Sequence, residues 1–360
     1  MSVAKIFGFE DLSPSIDSAL FETLQPELLR YYPNTQTVTM AQRNGRQWCQ
    51  VKGTYEAGGG YSGTRAASLS IDLNNTVGLS NVQNKKLWVG FRIYCPLTAA
   101  ALMQDWLMLQ FGAGGYVPCL GVNELAMNTE YYVEVSIDYL NSIAQVFVNG
   151  ALFKTVAIPA WGPNQPVAYS YVVMGQYNAD YNNNAGLYAH ARVMLLNDIY
   201  VVVEDGVGLS SRLGGVKVRP LEIENVVLGE GWVINGNDTP AATLAVSSVN
   251  PTDVTTKAMR SSTKHTDLVV DFKKPVTDDP VEFVEVQAFA FRDQGTATAL
   301  QVSLDDRGVK TEVTTTTLPI GTLTKGVVKV TKSPVTPTGD RWTPTNLDTL
   351  KVVLNSKAGG

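Results

Sequence analysis

A chain of 360 residues with only two histidines must draw most of its chemistry from carboxylates, and one pair stands out. Glu134 and Asp138 lie in Tyr131-Tyr-Val-Glu-Val-Ser-Ile-Asp138, where strict alternation puts both on one face of a strand. Two acids on one face are what a glycosidase uses, one as acid and one as base or nucleophile. Four strand steps of roughly 3.3 Å, however, separate these backbones by about 13 Å. Working pairs sit roughly 5–9.5 Å apart. The pair therefore reads as a solvated strand face. His190 and His265 have no Ser or Cys motif beside them and no Gly-x-Ser-x-Gly elbow exists, so a structural role is expected of each. Asp180-Tyr-Asn-Asn-Asn184 and Asn197-Asp198 offer hard oxygen atoms near strand ends, which makes Asp180, Asn182 and Asp198 the candidate ligands for calcium. Asn-rich turns also arise simply because Asn tolerates positive φ. Trp161, Tyr177 and Tyr181 are the candidates for a glycan platform or a partner contact, set against burial between sheets. Gly58-Gly-Gly60 and Gly112-Ala-Gly-Gly115 lack a following Lys-Ser/Thr and read as loops or bulges, not phosphate cradles.

The elements that must position these residues are strands. Ile6–Phe9, residues 63–71, Leu87–Cys95 and Trp106–Phe111 carry strand signals. The clearest unit is 131–155, where Tyr131–Asp138, Ala144–Val148 and Ala151–Val156 form a meander. Tyr139–Ser142 supplies its first turn and Asn149-Gly150 its second, the latter a positive-φ pair suited to a two-residue hairpin. Leu187–Leu196 is expected as a strand, turning through Asn197-Asp198 into Ile199–Val203. Glu204–Gly208 then marks a boundary between a first domain at 1–205 and a second at 206–360. The second has its own strands: one within Leu213–Leu221, then Gly231–Ile234, Asp267–Phe272, Val281–Phe291, Ala297–Leu304, Val309–Leu318, Gly326–Val330 and Leu350–Leu354. Residues 237–266 are expected to be a long surface loop. Short helical turns are expected near Ala19–Leu24, capped by Asp17 or Ser18, and near 98–104. The fold class that follows is all-β, with two sandwich domains, the second the smaller.

Composition fits that architecture. Hydrophobic residues are 44% and charged ones 17%, and the missing charge is replaced by Thr, Ser, Asn, Gly and Gln, the surface of turn-rich β proteins. Lys+Arg 28 against Asp+Glu 33 gives −5, without the basic footprint of a nucleic-acid partner. The odd set Cys49, Cys95 and Cys119 matches no metal spacing and suits buried thiols in a reducing cytoplasm. Residues 1–10 lack the apolar core of a signal peptide, and no run approaches the roughly 18 apolar residues of a membrane span.

The order of blocks in 1–205 resembles a laminin-G or concanavalin-like jelly roll. The blocks are Phe7-Gly-Phe-Glu10, Trp88-Val-Gly-Phe-Arg92, Tyr132-Val-Glu-Val-Ser-Ile-Asp138 and Val146-Phe-Val-Asn-Gly150. The Glu-x-Asp-x-x-Glu pattern of glycosidases on that fold is absent, because Ser136 stands in the middle position. A second resemblance is to phage structural proteins in which a lectin-like domain precedes another β domain. It rests on Asn197-Asp-Ile-Tyr-Val201, Leu213-Gly-Gly-Val-Lys-Val-Arg-Pro-Leu221 and Thr336-Pro-Thr-Gly-Asp-Arg-Trp-Thr343, with Asn197, Gly215 and Thr336 where that group carries acids. The resemblance implies a bacteriophage virion protein, made in the host bacterial cytoplasm and present in several copies or as a homo-oligomer. It would attach to capsid, as a decoration, or to neck or tail, through contacts with other virion proteins. The alternative it implies is a glycan- or receptor-binding module of a tail fibre that contacts a host-surface glycan. Neither reading involves nucleic acid or membrane. The expectation is a chain that is not an enzyme, without catalytic residues or a cofactor, calcium being the one candidate ion.

Overall fold

The computed structural model describes residues 4–9, 12, 16–25, 27–30, 36–53, 67–77, 85–96, 106–111, 115–121, 124–159, 170–175, 193–204, 212–235, 239–240, 258–261, 266–273, 281, 284–290, 297–311, 314–318, 327–333, 336–340 and 342–358. By internal contacts the chain divides into two compact units. One comprises Met1–Glu10 with Pro14–Val218, the other Asp11–Ser13 with Arg219–Gly360.

In the first unit the described strands are β1 (Ala4–Phe7), β2 (Leu28–Arg30), β3 (Gln36–Arg43), β4 (Arg46–Gly53), β5 (Ser68–Asp72), β6 (Lys86–Tyr94), β7 (Leu107–Phe111), β8 (Gly115–Leu120), β9 (Glu130–Asp138), β10 (Ile143–Val148), β11 (Ala151–Ala157), β12 (Ser170–Gly175) and β13 (Val193–Val203). Two short helices, α1 (Ser18–Leu24) and α2 (Leu73–Val77), lie among them. An eight-stranded antiparallel sheet runs β11-β10-β9-β6-β13-β4-β3, with β1 also on β13, and a five-stranded one runs β2-β5-β12-β7-β8. The two sheets face each other through the apolar side of β9. Tyr131 meets Trp106 edge-on, with ring centres 6.1 Å apart, and Tyr139 meets Phe111 at 6.4 Å. Val133, Val135 and Ile137 lie between them, fully buried, as do Leu87, Val89 and Phe91 of β6. This is the antiparallel β-sandwich that the alternation predicts.

Local chemistry sets the corners. The meander β9–β10–β11 forms with Asn149 at φ 49° and Gly150 at φ 88°, both in the left-handed region that the hairpin turn requires. A second Asn-Gly turn, Asn44 (φ 51°) and Gly45 (φ 72°), joins β3 to β4. The sequence reading passed over this hairpin, because its strands carry Thr, Gln and Arg where an apolar alternation would announce them. Asn197-Asp198 is not the expected turn. β13 runs straight through it, and the register against β6 slips between Asn197 and Tyr200 with Asp198 at φ 50°, a β-bulge. α1 starts at Ser18, whose Oγ accepts the Val38 N–H at 2.8 Å.

The second unit holds β14 (Ile223–Leu228), β15 (Trp232–Asn235), β16 (Ala258–Ser261), β17 (Asp267–Phe272), β18 (Val284–Phe289), β19 (Ala297–Asp306), β20 (Val309–Lys310), β21 (Thr314–Thr317), β22 (Val327–Ser333) and β23 (Leu350–Ala358), with α3 (Pro344–Leu347). β14-β17-β23-β19-β20, with β21 on β19, make a six-stranded antiparallel sheet; β15–β16 and β18–β22 pair separately. Leu268, Val302, Leu304, Trp342 and Val352 anchor its core. Two expectations are corrected. Leu213–Leu221 contains no strand, and β14 starts only at Ile223; the stretch expected as loop includes β16. The Thr336–Thr343 block is a closed turn: Thr336 N–H bonds the Asp340 carbonyl at 2.8 Å, Trp342 is buried, and Thr343 Oγ1 accepts the Asn346 N–H at the start of α3.

Candidate functional site

β9 alternates, so the side opposite its apolar face carries Tyr132, Glu134, Ser136 and Asp138. Across β6 the paired positions are Arg92, Gly90, Trp88 and Lys86. That side was expected to be solvated, and it is not: Glu134 is 0% exposed and Ser136 1%. Part of the cover is the segment 212–218, which lies on the first unit although the sequence reading placed it in the second domain. It is bound by side chains of the sheet. Glu134 Oε1 accepts the Gly214 N–H at 3.0 Å, Tyr200 Oη accepts the Leu213 N–H at 3.3 Å, and Asp198 Oδ1 accepts the Val218 N–H at 2.9 Å. Tyr200 in turn donates to Glu134 Oε1 at 2.6 Å, and Arg212 Nε stands 3.4 Å from Glu134 Oε2. Gly90 makes the arrangement possible, for a Cβ there would run into the Tyr200 ring and lie 2.8 Å from Tyr132 Oη. Gly214, at φ 77°, lets the segment turn over the carboxylate.

The bulge in β13 aims Asp198 into a second group. Arg46 holds both of its oxygens, Nη1 to Oδ2 at 2.8 Å and Nη2 to Oδ1 at 2.7 Å, and Arg92 Nε adds a third bond at 2.7 Å. Such paired, planar geometry is the strongest form of carboxylate recognition. Asn197 braces the bulge, donating from Nδ2 to the Gln47 carbonyl at 2.8 Å and accepting the Asp198 N–H at 2.8 Å. Arg92 also reaches Glu130 at 3.5 Å, and the Arg43 guanidinium lies 3.5 Å from the Tyr94 ring centre. Further along the face, Arg212 stacks on Phe147 at 4.6 Å, and Phe147 packs on Trp88 at 5.7 Å.

Burial pushes the Glu134 carboxyl above its ordinary value, against the opposing pull of the Tyr200 hydroxyl, the Gly214 N–H and the Arg212 charge. Burial likewise pushes Tyr200 upward, and Tyr132 and Glu134 beside it push the same way. Asp138 behaves differently. Burial would raise it, but the side-chain and backbone hydrogen bonds from Asn141 outweigh that and hold it below the usual carboxylate range. The two acids thus share a face without sharing a site: Glu134 belongs to the 212–218 contact, Asp138 to the turn at Asn141. A Glu–Tyr pair at 2.6 Å has the chemistry to hold a proton. Here both of its groups are covered and both anchor backbone amides, so the arrangement works as a clasp.

Asp198, expected as a calcium ligand, is fully buried between two guanidinium groups, whose charge opposes a cation. Asp180 and Asn182, the other ligand candidates, lie outside the described residues, as do Trp161, Tyr177, Tyr181, His190 and His265. Among the described residues no three His, Cys, Asp or Glu side chains gather as a metal ion would need. Cys49, Cys95 and Cys119 are free and buried. Among the described residues no helix is long and apolar enough to cross a membrane. The clasp residues Tyr200, Arg212 and Gly214 escaped the sequence reading as site residues; the available signal was the paired block 197–201 and 213–221, whose two halves meet in space.

No protein-family model matches the sequence, and no curated protein does. Solved structures do resemble it. An alginate lyase is 10% identical, with 57% of this chain and 98% of that one covered and a TM-score of 0.38. A glucuronan lyase from the fungus Trichoderma reesei is 13% identical over 48% of this chain and 89% of its own, with a TM-score of 0.33. A sialidase is 10% identical at a TM-score of 0.30, and the chain spans only 17% of its length, with 49% of this chain covered. These neighbours correct the expectation that the chain is not an enzyme, since polysaccharide lyases and sialidases are enzymes built on sandwiches of this kind. At such identities the likeness is one of fold alone: an antiparallel β-sandwich of jelly-roll type.

Proposed function

We propose that the chain is a structural component of a bacteriophage particle, attached to capsid, neck or tail through contacts with other virion proteins. The observation that carries this reading is the clasp. The block at 197–201 supplies Asp198 and Tyr200, and the block at 213–221 supplies the amides of Leu213, Gly214 and Val218 that they bind. Two stretches picked out by their resemblance to phage structural proteins are therefore halves of one contact. Its work is to fix the path of the chain as it leaves the sandwich. The third block, Thr336–Thr343, also holds a turn in place, around a buried Trp342. Exposed large apolar side chains, Leu140, Leu152, Phe153, Val227, Val233 and Val309, supply the kind of anchors that protein–protein contacts use.

Peptide mass spectrometry of gradient-purified particles tests the proposal, with deletion of the coding sequence beside it. Peptides of this chain recovered in fixed ratio to the major capsid protein, and particles altered by the deletion, are the expected results. Particles that lack the chain, or assemble and infect unchanged without it, refute the proposal. The glycan-binding alternative depends on Trp161, Tyr177 and Tyr181, and no described feature favours it.

A further inference from the structure

The strands that end the two sheets of the first unit are not alike. β8 carries Pro118, which removes a backbone donor. β2 has three residues, and its Arg30 is tied to Glu22 and to the Gln36 carbonyl. β3 turns Thr37, Thr39 and Gln42 outward. All three are ordinary defences against edge-to-edge pairing: a proline, a short strand, a polar rim. β11 has none of them. It is seven residues long without proline, and each of its residues is exposed or half-exposed, Leu152 at 55% and Phe153 at 46%. Its single charged side chain, Lys154, is bound to Glu124 at 2.9 Å. The pairing with β10 slips at Val146/Phe147, where Lys154 opposes Val146 and Leu152 opposes Phe147. Phe153 is the extra residue of that bulge, which accounts for two successive large apolar side chains standing free.

An edge without a second neighbour among the described strands presents a row of backbone N–H and C=O groups, and what completes such a row is another extended strand. We infer that this strand is β11 of a second copy of the chain, paired antiparallel about a two-fold axis so that the eight-stranded sheet continues from one protomer into the next. An antiparallel edge is its own complement, and one two-fold satisfies both copies at once. Charge permits the approach, because Glu124 already neutralises the Lys154 of each copy. Charge also selects the register. An axis through Lys154 would set two ammonium groups opposite each other, whereas an axis through Phe153 sets ring against ring and places each Lys154 opposite a Leu152, the favoured cross-strand combination. The inference stands apart from the particle assignment, since it concerns what the isolated chain does in solution.

Light scattering coupled to size exclusion tests it on the full 39.0 kDa chain. At about 100 µM, where even weak dimers are populated, the expected mass is that of two chains. Phe153→Lys combined with Thr155→Lys puts two charges on the edge and should weaken association by about tenfold or more, with the far-UV circular dichroism unchanged. Phe153→Cys provides an independent arm, because the three natural cysteines are buried and the new thiol is the exposed one. Mild oxidation should then give a disulfide-linked dimer. A wild-type chain that runs as a monomer overturns the inference, and so does a dimer indifferent to the double lysine variant. A folded Phe153→Cys chain that does not cross-link overturns it as well. None of these results bears on whether purified particles contain the protein.

Discussion

Glu134 offers a test of the clasp in which two substitutions at one position should part company. In Glu134→Ala the Tyr200 hydroxyl and the Gly214 N–H, bonded to Glu134 Oε1 at 2.6 and 3.0 Å, both lose their acceptor. An orphaned buried donor costs about 1–3 kcal/mol, so the pair costs about 2–6 kcal/mol. Glu134→Gln keeps an acceptor oxygen in place and removes a charge whose burial is unfavourable, and its cost should stay within about 1 kcal/mol. The pH profile carries the same logic. Burial raises the folded carboxyl value above the unfolded one, so between those two values the folded chain binds more protons. Stability from this group is therefore greatest below the unfolded value, falls as pH rises through the window, and is flat above the folded value. Urea unfolding followed by circular dichroism, repeated from about pH 4 to about pH 8, reads both quantities. The slope due to Glu134 should vanish in Glu134→Gln. A glutamine variant as damaged as the alanine one, or a slope that persists in it, would refute the clasp as described.

Asp198→Asn should cost about 3–5 kcal/mol in the same urea measurement, because two half-buried guanidinium groups lose the anion that both of them face. Gly90→Ala should destabilise by about 1–3 kcal/mol through overpacking against Tyr200, and hydrogen exchange at the Leu213 and Gly214 amides should accelerate; unchanged protection would count against the contact. Trp342→Ala should lower the stability of the second unit by about 3–5 kcal/mol, since the ring is 3% exposed within its core. In the native protein none of Cys49, Cys95 and Cys119 should react with a thiol reagent, and all should do so in denaturant: burial raises all three thiols, Cys119 to about 12.

What the sequence revealed and what it concealed divide along the range of the interactions. The meander from Glu130 to Ala157 was legible because a two-residue period and an Asn-Gly pair are local signals. Burial of Glu134 and Ser136 was not. Alternation says that a strand has two unlike faces, and it cannot say that Gly214, 80 positions later, will lie on the polar one. The residue string Asn197-Asp198 favours a turn, yet β6 and β4 pair on either side of it, and the ladder absorbs the positive φ as a bulge. Asp198 shows why a hard oxygen at a strand end is a weak sign of a cation. Arg46 comes from a distant hairpin and Arg92 from the neighbouring strand, and neither is near Asp198 in the sequence.

The position of β1 has a consequence for how the protein is made. Its only partner is β13, and about 185 residues separate Phe7 from Val193. At a synthesis rate of 5–20 residues per second, β1 must wait roughly 10–40 s on the ribosome before that partner exists. The central pair β6–β13 has the same dependence, whereas the β9–β10–β11 meander can close as soon as it emerges. The sandwich must therefore be completed late, around a hairpin assembled early, and holdase chaperones that shield nascent strands should find their longest-lived substrate in the apolar run of β6.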